Sequence, residues 1–269
     1  MKLKYNCYSC GTEFTGSNCQ KCGYGYKKSG CVDDFIGDYQ PKVGSEKFAA
    51  FNRNLDANVF SRLLIDIGMD FFKDFSGNVL DAGCGTGYYS HRIFEKNNKA
   101  SLTGLDIGTS FDASLCSERF GFVRADIFKA PFRPETFDAV VNFDVIEHIE
   151  EDRLFVGKML ELLKPGGKFL VGTPNLNRLT NIIYGLVKGK KKFPFDYGND
   201  AVLGETIHVR EYGRREIELL MEDFRDILDY KLIPVLFGIR TGKGIIGIKK
   251  PAGFLSPNCY YWYVAGTKK

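Results

Sequence analysis

Val79-Leu80-Asp81-Ala82-Gly83-Cys84-Gly85-Thr86-Gly87-Tyr88 is the stretch on which the fold of this chain turns. An apolar run ends in an acidic residue and three alternating glycines, and the amphipathic YYSHRIFEKN follows at 88–97. Strand, tight glycine turn and helix form a βα unit whose backbone can approach a ligand closely at the carboxyl end of the strand. The dinucleotide fingerprint places its third glycine three positions after the second. Here Gly87 follows Gly85 by two, which argues against a nicotinamide cofactor.

Outward from this unit, apolar and amphipathic runs alternate. SLTGLDI (101–107), GFVRADI (121–127), FDAVVNF (137–143) and KFLVGTP (168–174) read as strands, with a short helix at 111–116 and a longer one, DRLFVGKMLELLK, at 152–164. Strands interleaved with helices predict parallel βαβ units and a doubly wound α/β sheet. Residues 175–210 break the rhythm with one helix, RLTNIIYGLV, and the basic Lys188, Lys190, Lys191 and Lys192, so they read as a substrate-side insert. GRREIELLMEDF then predicts a helix, and DYKLIPVLF and CYYWYVAGT predict two closing strands separated by a Gly/Lys-rich loop. Upstream, Phe48, Phe51, Leu55, Val59 and Leu63 recur at helical spacing, making 38–75 a helical lead-in with Gly68 as its expected break. The expected division is therefore 1–37, 38–75 and 76–269.

A chain of 269 residues has room for a sizeable core. Its net charge of +4 arises from 37 basic and 33 acidic residues, so charge neither demands nor excludes nucleic acid. No apolar run reaches the roughly 18 residues of a membrane span, and the opening residues lack the apolar stretch of a signal peptide. The expectation is a cytoplasmic protein without membrane insertion. An intracellular setting keeps thiols reduced, so the eight cysteines read as metal ligands and buried thiols, not bridges.

Four of them set the N-terminal segment. Cys7-x2-Cys10 and Cys19-x2-Cys22 are two knuckles eight residues apart, and Gly11 and Gly23 follow the second cysteine of each pair. Residues 1–37 are too few to fold around an apolar core of their own, so one structural Zn2+ held by four thiolates supplies the staple. Cys31, Cys116 and Cys259 have no paired spacing and are expected as buried thiols.

The glycine stretch closely resembles the first motif of class I S-adenosylmethionine-dependent methyltransferases. The resemblance implies a mostly parallel seven-stranded sheet and S-adenosyl-L-methionine as cofactor. Asp81, Gly83, Cys84, Gly85 and Gly87 would line its methionine part. Asp106 would accept from both ribose hydroxyls, Asp126 would read the adenine amino group, and Ile107 and Ile127 would flank the ring. Asn142, in the segment resembling strand four, completes the expected set. Leu163-Lys164-Pro165-Gly166-Gly167 resembles the turn before strand five. CQKCGYGYKKSGCVDDF resembles the small zinc ribbons that accompany some RNA methyltransferases.

Catalytic candidates are few because the chain holds only His91, His148 and His208, with His91 expected at the surface. Asp144, Glu147 and His148 stand i, i+3, i+4 just after a strand and can share a helix face at the carboxyl edge of the sheet. Either Asp144 caps that helix and the others are solvated, or the three join His208 around a divalent cation such as Mg2+. The second arrangement is similar to the Glu-x-x-Glu-His…His set of metal-dependent 2′-O-methyltransferases of small RNAs and of ubiquinone-biosynthesis O-methyltransferases, with Asp144 in place of the first Glu. Without a metal, His148, His208 or Glu147 would act as base.

The expected activity is O-methylation of a small molecule, saccharide or lipid-linked precursor. The alternative is RNA methylation, with Tyr5, Tyr8, Tyr24 and Tyr26 stacking bases between ribbon lysines. A non-catalytic binding protein is the third reading, and the complete cofactor motif opposes it.

Overall fold

The computed structural model describes residues 4–37, 59–108, 111–189, 208–241 and 244–269. The part of the lead-in upstream of 59 and Lys190, Lys191 and Lys192 lie outside them. The described chain begins with β1 (Tyr5–Asn6) and β2 (Glu13–Phe14), then β3 (Lys27–Ser29) and β4 (Val32–Asp34). Next come α1 (Val59–Phe71), β5 (Gly77–Ala82), α2 (Tyr88–Phe94), β6 (Ala100–Asp106), β7 (Phe120–Arg124) and β8 (Phe137–Phe143). They are followed by α3 (Asp152–Leu162), β9 (Leu163–Pro174), α4 (Leu179–Lys188) and α5 (Arg214–Glu222). The chain closes with β10 (Leu228–Val235), β11 (Phe237–Thr241), β12 (Gly244–Ile248) and β13 (Tyr261–Lys268).

The central sheet runs β10-β13-β9-β8-β5-β6-β7-β4-β3. Strands β4 to β9 in this row are mutually parallel, and β13 runs antiparallel between β9 and β10. Strand β8, FDAVVNF, is buried along nearly its whole length, as a strand covered on both faces must be. Apolar clusters fill both faces, one including Leu80, Val140, Phe155 and Trp262, the other Val79, Val141, Phe94 and Tyr263. The order reverses between β5 and β8, so the crevice for a ligand opens at their carboxyl ends.

The seven expected strands are present, but the sheet has nine. The hairpin β3–β4 belongs to the N-terminal segment, and β4 adds to the edge strand β7 in parallel, with Val32 opposite Phe122 and Asp34 opposite Arg124. An edge strand presents unpaired backbone groups, and a short cysteine-rich segment with no core of its own gains both hydrogen bonds and a wall by pairing there. Tyr5 packs against Phe14, Phe35 and Phe132, and the Tyr5–Phe35 ring centroids lie 4.9 Å apart. The buried Tyr5 hydroxyl donates to Asp33.

Two further expectations are corrected. Cys31 and Cys116 are joined in a disulfide, with Cα atoms 6.3 Å apart, so the chain uses a bridge as well as a cysteine cluster. Their separation of 85 positions hides the pair, because only the addition of β4 to the edge of the sheet brings them together. Cys259 is the expected buried free thiol. Helix α1 does not break at Gly68. A Cβ there would stand 2.5 Å from Ile93 Cδ1, so the glycine serves the close approach of α1 to α2. The Gly/Lys-rich loop between the closing strands contains the hairpin β11–β12.

Candidate active site

The glycine loop leaves the end of β5, beside β8 in the sheet, with Gly83 packed against Val145. Gly87 has φ of 84°, and a Cβ on it would meet the rings of Phe120 and Phe122 at 2.8 and 2.9 Å. A side chain is excluded there by both conformation and space. Asp106, at the end of β6, accepts from Gly85 N at 2.8 Å and from Gly108 N at 2.7 Å. Two backbone amides thus orient a carboxylate over the loop, in position to share its remaining lone pairs with a diol. Asp81 is 2% exposed, and burial pushes its carboxyl up to about 7, against a hydrogen bond from Ser90. Its Oδ1 has no partner among the described residues.

Of the other cofactor candidates, Asp126 accepts from Phe128 N and starts a short 3-10 turn. Ile107 is 44% exposed at the crevice while Ile127 is packed in the core. Cys84 lies against Gly104, and burial raises its thiol well above the usual range, consistent with a packing role. Asn142 is wholly buried and donates to Ala82 O, so it braces β8 against β5 from inside the sheet.

Asp144, Glu147 and His148 do not share a helix face. Asp144 has φ of 55°, a left-handed conformation that Asp tolerates better than most residues, and only a 3-10 turn, Ile146–His148, follows. Val145, with no side-chain cap, occupies the N-cap, so Asp144 does not cap the turn either. The helix that the spacing presumes is therefore absent. Asp144 lies beside buried Tyr261, and burial lifts its carboxyl to about 6, tempered by the Tyr261 hydroxyl and the nearby His208. Glu147, His148 and His208 converge instead: one ligand atom from each lies within 4.8 Å of the others. The His148 and His208 rings are 4.9 Å apart and nearly perpendicular.

Glu147 is fully buried; Oε2 accepts from Thr173 Oγ1 at 3.0 Å, while Oε1 has no hydrogen-bond partner among the described residues and lies 3.9 Å from His208 Nε2. Burial, then the charge of Asp144, pushes this carboxyl well above its ordinary range. On the far side of His208, Nδ1 stands 3.0 Å from Glu211 Oε1. Burial would raise the Glu211 carboxyl, but the bonds from His208 and the bidentate guanidinium of Arg178, at 2.7 and 2.9 Å, hold it below the usual range. An ionised Glu211 accepts only, so His208 carries its proton on Nδ1 and turns Nε2 toward Glu147. Sequence reading missed Glu211 and Arg178. The signal was present in His208-Val209-Arg210-Glu211-Tyr212, but the partner comes from 33 positions upstream.

In the N-terminal segment, Cys7 and Cys22 sulfurs stand 3.3 Å apart and Cys10 and Cys19 sulfurs 3.6 Å, with all four within 4.8 Å. Gly11 N donates to Cys7 O and Gly23 N to Cys19 O, closing the two knuckles. Four sulfurs about 2.3 Å from a shared tetrahedral ion stand about 3.8 Å from one another, and the Cys7–Cys22 and Cys10–Cys19 pairs lie somewhat inside that spacing. The tyrosines expected to stack bases are largely spent on packing. Tyr5 is 1% exposed, and Tyr24 and Tyr26 lie against Phe35, leaving Tyr8 outward beside Lys129. His91 is half-buried and stacked on Phe120, not free at the surface.

Residues 80–171 match the family model of a methyltransferase domain. A probable S-adenosylmethionine-dependent methyltransferase of Mycolicibacterium smegmatis is 34% identical over 151 residues, covering 54% of this chain and 50% of that protein. The mitochondrial ubiquinone biosynthesis O-methyltransferase of Schizosaccharomyces pombe is 28% identical over 133 residues, covering 44% and 47%. The chain thus spans about half the length of these relatives. A crystal structure of an S-adenosylmethionine-dependent methyltransferase from Thermotoga maritima superposes with a TM-score of 0.57 at 18% identity, over 84% of this chain and 98% of that one. This likeness concerns the fold, the Rossmann-like class I methyltransferase arrangement. The matched stretch of the methyltransferase domain contains the glycine loop, Asp106, Asp126 and the Asp144–His148 turn; His208 and Glu211 lie beyond it.

Proposed function

We propose that this chain is an S-adenosylmethionine-dependent O-methyltransferase of a small molecule, saccharide or lipid-linked precursor. In this reading the N-terminal cysteines hold a structural Zn2+, and Glu147, His148 and His208 hold a second divalent cation. The observation that carries it is the convergence of those three side chains, two of them on the turn after β8 whose Val145 packs on Gly83 of the glycine loop. The unpaired, buried Oε1 of Glu147 fits a cation, because a carboxyl so enclosed calls for a compensating charge. Two imidazoles and one carboxylate suit zinc, iron, cobalt or manganese better than Mg2+, which favours oxygen ligands. The O-methyltransferase named among the relatives supports an oxygen acceptor.

When bound, the cofactor would supply an activated methyl group, and a cation held by Glu147, His148 and His208 would supply Lewis acidity toward the acceptor hydroxyl. The protein's own part is orientation and exclusion of water. Asp106 receives the ribose hydroxyls, the glycine loop admits the methionine part, and Glu211 with Arg178 keeps His208 Nε2 directed at the reacting side. Of the tyrosines that RNA methylation would use to stack bases, Tyr5 is buried and Tyr8 stays exposed.

Replacing Asp106 with Ala removes two charge-assisted hydrogen bonds, each worth about 1.5 to 3 kcal/mol, so calorimetry should show cofactor affinity falling at least tenfold. An unchanged affinity would place the ribose elsewhere. For the acceptor, purified protein is incubated with tritium-labelled methyl donor and either a small-molecule and lipid extract or total RNA. Label is expected in the extract, and label confined to RNA would displace this reading.

A further inference from the structure

Arg124 is 4% exposed at the end of β7, between Asp106 on one neighbouring strand and Asp34 on the other. Its NH1 donates to Asp34 Oδ2 at 3.0 Å and to Gly37 O at 2.9 Å, and its Nε donates to Ile107 O at 3.3 Å. Asp34 is itself held by the amides of Ile36 and Gly37, at 2.9 and 3.0 Å. A buried guanidinium therefore spans from the N-terminal ribbon to the turn that carries Asp106 and Ile107. A second tether lies beyond it. The Cys31–Cys116 disulfide ties the start of β4 to the loop that follows β6, and Asp112 of that loop donates its N–H to Thr86 O in the glycine loop at 3.2 Å.

We propose that the ribbon is a working wall of the adenosine subsite, with Asp34 acting through Arg124 as a positioning pair for the Asp106–Ile107 turn. This rests on the cofactor reading above. The physical reason is rigidity: a carboxylate that must meet two ribose hydroxyls gains affinity when its backbone is fixed beforehand. Arg124 fixes it only while its charge is matched. Without Asp34 the buried guanidinium loses its carboxylate partner at 3.0 Å, and the alignment of its Nε on the Ile107 carbonyl loosens.

The test measures binding of S-adenosylhomocysteine by calorimetry, with melting temperature recorded alongside. Asp34→Asn should weaken binding about tenfold or more, the size expected when one charge-assisted contact behind a binding residue is lost. Arg124→Lys should retain part of the affinity that Arg124→Gln loses, since lysine keeps the charge without the fork. Lys28→Ala is the control. It removes the Lys28–Asp33 ion pair from the same hairpin, 63% exposed on the lysine side, and should leave affinity unchanged. Unchanged affinity in folded Asp34→Asn would overturn the inference, as would an equal loss in Lys28→Ala, which would mean general loosening of the ribbon. No binding by the unaltered protein would instead bring down the cofactor reading, and this inference with it.

Discussion

Replacing His208 with Ala should lower the rate of methyl transfer by about 10²- to 10⁴-fold, the range for loss of a positioned acid–base or metal-holding group. The geometry behind this is one-sided. Glu211, ionised and clamped by Arg178, occupies Nδ1, so Nε2 is the nitrogen that serves the site, 3.9 Å from Glu147 Oε1. The substitution alone does not say whether His208 ligates a cation or accepts a proton, but chelation does. A mild chelator that leaves the four-thiolate zinc in place should abolish turnover, with zinc, manganese or cobalt restoring it. Full activity after chelation, together with a large loss in His208→Ala, would reject the cation and retain the imidazole as base. Activity of His208→Ala within a few-fold of the unaltered protein would remove this cluster from the reaction altogether.

The second large effect concerns the ribbon. Cys10→Ser should lower zinc content by about one atom per chain, since three thiolates hold the ion far less tightly than four; zinc contributes about 10 to 16 kcal/mol in small peptide sites. The consequence should reach further than an isolated appendage would allow. Tyr5, Cys7 and Cys19 are buried within the same cluster as Leu80 and Phe137, and Asn6 N donates to Pro131 O at 2.9 Å. Untying the knuckles therefore exposes the Tyr5, Phe14 and Phe35 rings. The expected result is a lower melting temperature with the α/β sheet still folded, because β5 to β9 carry their own core on both faces. Elemental analysis finding no zinc in unaltered protein purified without chelators would refute the assignment. A variant that keeps the unaltered melting temperature would show that the ribbon contributes little to the domain.

Short-range features were legible because local chemistry dictates them. Cys7, Cys10, Cys19 and Cys22 announce one cluster through spacing, and the glycine loop announces a turn that only small residues can make. The strand–helix alternation from 77 to 174 likewise follows from hydrophobic period. Asp144 shows the limit of that approach: its i, i+3, i+4 relation to Glu147 and His148 presumes a helix, and a single left-handed residue breaks the presumption. Asn142, read from the sequence as a ligand contact, places its amide nitrogen on Ala82 O and leaves its Oδ1 without a partner among the described residues.

By itself, then, the sequence determined the parallel α/β core, the order of its strands' motifs and the cysteine cluster, since each depends on residues near one another along the chain. Only the tertiary structure decided that β3 and β4 extend the sheet, that Cys31 meets Cys116, that Arg178 and Glu211 set the tautomer of His208, and that Arg124 reaches Asp34. Each of these joins residues separated by tens of positions, with no period or spacing to mark the pair. They exist because a short segment without a core of its own must pair with an available strand edge, and because a buried charge must find its partner wherever the fold brings one.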